Sequence, residues 1–65
     1  MKILTWQARA HRKLTLVQME KLTGLSKSTL WNIENGRTSP TLDELELIAS
    51  ALNMHITDLF DSEYK

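Results

Sequence analysis

Residues 15–36, TLVQMEKLTGLSKSTLWNIENG, decide the fold of this 65-residue chain. Thr15 and Gln18 have the spacing of a capping box, in which each side chain accepts a hydrogen bond from a free amide at a helix start. Gly24 is expected to end this first helix, because glycine adopts a positive φ without steric cost. Ser26 then begins a second helix as its N-cap residue. The stretch predicts two short helices joined by a tight turn, and they need flanking helices to bury their apolar edges.

The rest of the chain supplies those flanking helices. Five helices are predicted in all, over residues 2–12, 16–23, 27–35, 42–53 and 56–61. Thr41 and Glu44 form a second capping box at the start of the fourth helix. The residues expected in the core lie at helical spacing on the inner faces: Met19, Leu25, Leu30 and Ile33 in the hairpin, and Leu42, Leu45, Ile48, Ala49 and Leu52 in the fourth helix. Residues 1–65 are therefore predicted to form one all-α domain, a compact five-helix bundle.

Composition excludes several classes of protein. The chain has no cysteine, so neither a disulfide framework nor a cysteine-based zinc site is available. No apolar run approaches the roughly 20 residues of a membrane span, and the N-terminus lacks a signal-peptide layout. The expected location is the cytoplasm of a prokaryotic cell or of a cell that hosts a phage.

The charges are unevenly distributed, although they sum to zero. Residues 1–37 carry seven lysines and arginines against two glutamates, a net charge of +5, and residues 38–65 carry one lysine against six carboxylates, a net charge of −5. Two ordinary solvated faces would explain this distribution. However, the basic half also holds the hairpin, which favours a protein that docks in one orientation on its partner.

The outer face of the second hairpin helix carries polar and aromatic groups. Because Leu30 and Ile33 point inward, the residues turned toward solvent are Lys27, Ser28, Trp31, Asn32 and Asn35. No acid lies between Gly24 and Ile33, where a carboxylate would repel phosphate. Two helices with this turn and this face have the layout of a helix-turn-helix, whose usual ligand is the major groove of DNA.

The chain resembles a known family over residues 14–60. The matching segments are LT at 14–15, TG at 23–24, SKSTL at 26–30, IENGRTSP at 33–40, LELIASALN at 45–53 and ITDLF at 56–60. They are similar to the phage-repressor and Cro-type helix-turn-helix proteins, the xenobiotic-response-element group. The resemblance implies a lambda-repressor-like five-helix domain that binds operator DNA, usually as a homodimer, and regulates transcription, here as a repressor.

The resemblance also implies roles for individual residues. Lys27, Ser28 and Asn32 occupy positions that usually contact base edges, and Trp31 lies among them. The positions that usually grip phosphates are held by Thr15, Asn35, Arg37 and Thr38. Lysine suits guanine O6 and N7, and asparagine can pair with adenine through two hydrogen bonds. For Trp31, contact with a thymine methyl group or sugar and packing over a neighbouring helix are equally good interpretations.

The same resemblance implies one ion pair and shows two departures from the family pattern. An ion pair between the first and third helices would join Arg9 to Glu34 and fix their geometry. Leu16 stands where the family commonly has a glutamine that contacts a phosphate. Glu20 stands where the family prefers alanine, so its carboxylate must reach solvent, the neighbourhood of Lys21 or the start of the third helix.

Dimer contacts are expected near the C-terminus. Phe60 and Tyr64 form one candidate set, and Leu47, Ala51 and Met54 form a second apolar stripe on the fourth helix. Pairing of the fifth helix with its symmetry mate is the preferred arrangement. Near the N-terminus, Trp6 is expected to cover the core together with Ile3 and Leu4.

Catalytic and metal sites are not predicted. No trio of serine, histidine and acid has a recognisable spacing, and no glycine-rich loop could cradle a phosphate, so neither an enzymatic activity nor a cofactor is expected. His55 and Asp58 are three residues apart, but two ligands make no zinc site, and a role at a helix start is preferred. The alternative function is an antitoxin or adaptor module, whose acidic half engages a basic partner protein such as a toxin or regulator.

Overall fold

Four α-helices form the body of the molecule. The computed structural model describes residues 1–65. Its elements in chain order are β1 (Lys2–Ile3), α1 (Thr5–His11), α2 (Leu16–Thr23), α3 (Lys27–Glu34), α4 (Leu42–Leu52), a 3₁₀ turn (Ile56–Leu59) and β2 (Phe60–Asp61). The helical fold predicted from the sequence is confirmed, but with four α-helices where five were expected.

The two chain ends differ from the prediction because they pair with each other. β1 and β2 form a two-stranded antiparallel ribbon in which Ile3 lies opposite Phe60. The first helix therefore begins at Thr5, not at residue 2, and the expected fifth helix is reduced to the 3₁₀ turn followed by an extended Phe60 (φ −152°, ψ 160°). A six-residue helix gains few backbone bonds for the cost of nucleation, whereas the ribbon satisfies backbone groups at both ends.

The turn between α2 and α3 is closed by backbone and hydroxyl groups. Gly24 has a φ of 77°, which ends α2 in the left-handed region. The buried Thr23 hydroxyl donates to the Met19 carbonyl at 2.7 Å and accepts from the Leu25 amide at 3.0 Å. At the other end of α2, the Thr15–Gln18 capping box is present with both of its hydrogen bonds. These contacts fix the angle at which α3 leaves the turn.

The core lies between the inner faces of the helices and the 3₁₀ turn. Its largest fully buried side chains are Met19, Ile33, Ile48, Leu52 and Leu59. Burial of each such side chain contributes about 1.5–3 kcal/mol. The expected inner faces of α3 and α4 are confirmed except at the first residue of α4, since Leu42 is 75% exposed. It follows the helix cap directly, one turn before the stripe reaches the core.

The apolar residues predicted to form dimer contacts divide into a covered set and an exposed set. Ala51, Met54 and Phe60 pack against the core, whereas Leu47 and Tyr64 are exposed. The structure has no fifth α-helix, so the predicted pairing of the fifth helix with its symmetry mate cannot form as described.

The N-terminal cover of the core was predicted only in part. Ile3 packs against the core, but Trp6 is 52% exposed. Trp6 lies in the first turn of α1, next to the buried Thr5, and so faces away from the helices that α1 contacts.

None of the helices has the length and hydropathy needed to cross a membrane.

Candidate nucleic-acid interface

The outer face of α3 gathers the four residues predicted to contact bases. Burial of Leu30 and Ile33 fixes the direction in which the helix faces. An open concavity of about 420 Å³ is lined by the four residues alone: Lys27, Ser28, Trp31 and Asn32. Their side chains present an ammonium group, a hydroxyl, an indole and an amide, so together they can meet donors, acceptors and apolar groups of base edges.

A reversal of the chain after α3 brings Arg37 over the same surface. Gly36 has a φ of 70°. Its amide donates to the Ile33 carbonyl at 3.3 Å, and the Arg37 amide donates to the Asn32 carbonyl at 2.9 Å. These two bonds are those of a Schellman motif, which closes the C-terminal end of a helix. The Arg37 guanidinium consequently lies 5.1 Å from the centre of the Trp31 ring, within the range of a cation–π contact.

Trp31 therefore combines parts of both interpretations. Its indole packs against Arg37 from the loop that follows α3. The side chain still keeps 43% of its surface exposed on the concavity, where an apolar group of a ligand could meet it.

The residues predicted to contact phosphates are accessible to solvent. All four are exposed: Thr15, Asn35, Arg37 and Thr38. The Thr15 oxygen accepts from the Gln18 amide at 3.1 Å, which leaves the hydroxyl proton free to donate. The Asn35 side-chain amide donates to the Trp31 carbonyl at 2.9 Å, so one of its protons already serves to end α3. Arg37 and the hydroxyl groups of Thr15 and Thr38 are the side-chain donors left available to a ligand.

Backbone amides add further donors at the helix starts. In α2 the amides of Leu16 and Val17 have no acceptor within the chain, as is normal for the first turn of a helix. Such amides bind anions, assisted by the positive end of the helix dipole. At position 16 the backbone therefore offers the donor that the leucine side chain lacks.

An ion pair holds α3 against α1, as the resemblance to the family implied. The Arg9 Nε and Nη2 atoms donate to the two oxygens of Glu34 at 2.6 and 3.0 Å, and Arg9 Nη1 donates to the Leu14 carbonyl at 2.9 Å. The Glu34 side chain is only 6% exposed. The hydrogen bonds that Arg9 donates to Glu34 raise the pKa of Arg9, against an opposing effect of burial. The pair joins α1 to α3 and fixes the orientation of the recognition face.

The Glu20 carboxylate lies at the start of α3. Its Oε2 atom accepts from the Lys27 amide at 2.8 Å, which decides between the three destinations that the sequence left open. Nothing local in the sequence indicates this choice, because the two residues lie in different helices and meet only when the turn has formed. The carboxylate thus adds a second cap to a helix that Ser26 already caps.

Arg12 has a structural role that the sequence analysis missed. Its Nε atom donates to the Leu52 carbonyl at 2.9 Å, and its Nη2 atom donates to the Asn53 carbonyl at 3.3 Å. Arg12 therefore closes the C-terminal end of α4. The 40 residues that separate Arg12 from Leu52 leave no local signal for this contact. Together with Arg9, it is a cation of the basic half that contacts the protein itself.

His55 and Asp58 form a cap, not a metal site. The Asp58 carboxylate accepts from the His55 amide at 3.0 Å, at the start of the 3₁₀ turn. No group of three or more histidine, aspartate or glutamate side chains lies close enough to hold a metal ion.

Comparison with known proteins identifies the family. A family model described as helix-turn-helix matches residues 7–59, which run from α1 through the 3₁₀ turn. The chain is also similar to the immunity repressor protein of Bacillus phage phi105, with 40% identity over 55 residues that cover 85% of this chain. The chain spans only about 38% of the length of that relative. Both the matched residues and the geometry of α2 and α3 lead to one assignment: the chain belongs to the Cro/C1-type helix-turn-helix family.

Proposed function

We propose that this domain binds duplex DNA in a sequence-specific manner and reads the major groove with α3. The observation that carries this proposal is the concavity on α3, which is lined only by Lys27, Ser28, Trp31 and Asn32. These groups match the hydrogen-bonding and methyl patterns of base edges. The major groove of DNA is about 12 Å wide and admits a helix. α3 is eight residues long, so it extends about 12 Å along its own axis at 1.5 Å per residue.

Anchoring of the domain is assigned to groups around that concavity. Arg37 and the Thr15 hydroxyl are exposed, and the free amides of Leu16 and Val17 lie at the start of α2. Such groups bind phosphate oxygens, which fix the register of a protein on DNA without reading the sequence. Asn35 and Thr38 are assigned to the same role.

The proposed biological role is repression of transcription by occupancy of an operator. The support is the similarity to a protein named as a phage immunity repressor. A domain of 65 residues that occupies a promoter blocks polymerase without further chemistry, so no catalytic step and no cofactor is invoked. The proposed site of action is the cytoplasm of a bacterial or phage-infected cell, where the operator DNA lies.

We propose further that two copies bind a pseudo-palindromic operator. Half-sites of helix-turn-helix dimers lie one helical turn apart, about 34 Å. The longest dimension of the molecule, 32 Å, is close to this spacing. Leu47 and Tyr64, which are among the exposed large apolar side chains, are assigned to the contact between copies.

Selection from a random pool of duplex DNA tests this function. The purified protein is incubated with the pool at low and at near-physiological salt, and the bound fraction is sequenced. Enrichment of a pseudo-palindrome is the expected result and yields the operator directly. Enrichment of a single half-site would retain DNA reading and exclude the dimer.

An absence of enrichment would overturn the proposal. Weak, salt-sensitive binding without sequence preference would come from phosphate contacts alone. The function would then move to the alternative, an antitoxin or adaptor module. Co-purification of a basic protein bound to the acidic residues 38–65 is the test of that alternative.

A further inference from the structure

The start of α3 carries a fixed negative charge. Glu20 belongs to α2, yet its carboxylate accepts a hydrogen bond from the amide of Lys27, the first residue of α3. α3 already has a cap of its own, since the Ser26 hydroxyl oxygen accepts from the Thr29 amide at 3.1 Å. The carboxylate is therefore not needed to begin the helix, and its position has a second consequence.

No cation of the protein neutralises this carboxylate. The only salt bridge in the molecule joins Arg9 to Glu34, so neither Lys21 nor Lys27 is paired with Glu20. Glu20 is also exposed. One of its oxygens is bonded to the backbone, and the other has no hydrogen-bond partner within the protein. This oxygen is therefore available to a ligand at the start of α3.

We infer that Glu20 is a specificity-determining residue of the proposed DNA interface. This inference rests on the proposed function, in which α3 enters the major groove. A helix start normally attracts phosphates and base acceptors through its free amides and its positive dipole end. Here the Lys27 amide is already occupied by the carboxylate, whose full negative charge exceeds the roughly half charge of the dipole end.

The charge acts differently on different DNA sequences. Phosphates and the acceptor atoms of guanine and thymine are repelled, whereas the free oxygen can accept from the amino group of cytosine or adenine. Random DNA presents the repelling groups as often as the favourable ones. An operator that places an amino group opposite the start of α3 offsets the repulsion with a hydrogen bond. Glu20 therefore weakens non-specific binding more than operator binding.

Glu20→Gln is the variant that separates charge from shape. The glutamine oxygen can still accept from the Lys27 amide, so the second cap is retained while the charge is removed. Glu63→Gln is the matched control, because Glu63 lies beside the β1–β2 ribbon at the other end of the chain. Each protein is titrated with the selected operator and with a scrambled duplex of equal length, and its melting temperature is recorded.

The expected result is a loss of discrimination without a loss of stability. Glu20→Gln should bind the scrambled duplex about two- to fivefold tighter, the range of an exposed charge interaction, and the ratio of operator to scrambled affinity should fall. Glu63→Gln should leave that ratio unchanged. The melting temperature of both variants should stay close to that of the wild type.

Two other results would overturn the inference. If Glu20→Gln binds both duplexes like the wild type while Glu20→Ala melts at a lower temperature, the carboxylate serves only as a cap. If Glu20→Gln binds both duplexes more weakly, Glu20 supports binding in general. A wild-type protein without any preference for a selected duplex would instead overturn the proposed function, so the two failures are distinguishable.

Discussion

Lys27 and Asn32 present groups that can distinguish bases, whereas Arg37 presents a charge that any phosphate satisfies. Lys27→Ala and Asn32→Ala should relax the preference at one base pair each, by about 1–3 kcal/mol. Arg37→Ala should weaken all sequences alike and reduce the slope of log affinity against log salt by about one. Titration of each variant with the operator and its single-base variants measures both effects. Lys65→Ala, at the C-terminus, is the control. A changed sequence preference in Arg37→Ala would contradict this division of roles.

Trp31 and Arg37 should act as one unit, because the guanidinium lies over the indole ring. Such a contact at an exposed site contributes about 0.5–1 kcal/mol, and it holds a long side chain that would otherwise be free to rotate. The affinity losses of Trp31→Ala and Arg37→Ala should therefore be less than additive in the double variant. Additive losses would show that the two residues bind DNA independently.

A second measurement isolates contact between Trp31 and thymine. Deoxyuridine lacks the 5-methyl group, so its substitution for each operator thymine removes one methyl contact and changes no hydrogen bond. Weaker binding of one such duplex by the wild type, with no change for Trp31→Ala, would place the indole on that methyl group. Equal binding of all the duplexes would leave Trp31 with the role of holding Arg37.

The Arg9–Glu34 pair should show an asymmetric response to mutation. Arg9→Met leaves a nearly buried carboxylate without its partner, and such a loss costs about 3–5 kcal/mol. Glu34→Met should cost less, because Arg9 retains the Leu14 carbonyl and more contact with solvent. The double variant should be more stable than Arg9→Met alone, since neither charge is then left unpaired. Denaturant unfolding of the three variants gives the comparison, and equal losses in both single variants would refute it.

The same pair has a defined response to pH. The pKa of Arg9 is raised in the folded protein, chiefly by its hydrogen bond to Glu34. The resulting stability is present at every pH below the ordinary pKa of arginine and is lost only as the pH rises through the raised value. The arginine end of this pair therefore introduces no pH dependence of stability near neutrality.

At the scale of elements, the turn between α2 and α3 depends on the backbone of one residue. Gly24 has a φ of 77°, and an added Cβ would meet no atom within 4 Å. The effect of Gly24→Ala is therefore purely conformational, about 1–2 kcal/mol for the left-handed region. Gly24→Asn should cost less, because asparagine tolerates this region better. Denaturant unfolding tests the order, and equal losses for the two variants would contradict it.

Elements whose ends carry capping residues could be predicted from the sequence. Elements formed by contacts between distant residues could not. The capping rules placed α2 and α4 correctly, because Thr15, Thr41 and Gly24 each act on the helix end at which they lie. The ribbon joins Ile3 to Phe60 across nearly the whole chain, and the sequence near either residue gives no sign of it.

Side-chain roles follow the same rule. The set on the outer face of α3, which is exposed except for the half-buried Asn32, followed from the burial of Leu30 and Ile33, because helical periodicity fixes the opposite face. The partners of Glu20 and Arg12 are set by how the helices pack against one another, which periodicity does not encode. The Arg9–Glu34 pair was predictable only through resemblance to the family.

At the scale of the whole molecule, charge and size decide how DNA is held. The net charge is zero, and two of the cations in residues 1–37, Arg9 and Arg12, are bonded to the protein itself. Few cations are left to neutralise phosphates, so each copy should bind half of an operator only weakly. Under the proposed arrangement, the pairing of two copies on one duplex raises both affinity and selectivity.

The spacing of half-sites tests this arrangement. In the proposed dimer, two bodies of 32 × 23 × 19 Å lie in contact with their α3 helices about one helical turn apart, near 34 Å. Insertion of about five base pairs turns the second half-site to the opposite face of the duplex, so binding should fall to the level of a single half-site. Insertion of about ten base pairs restores the face but doubles the spacing beyond what two touching copies can span, so binding should stay low. Equal affinity for all three spacings, measured by titration of labelled duplexes, would mean that the copies bind independently.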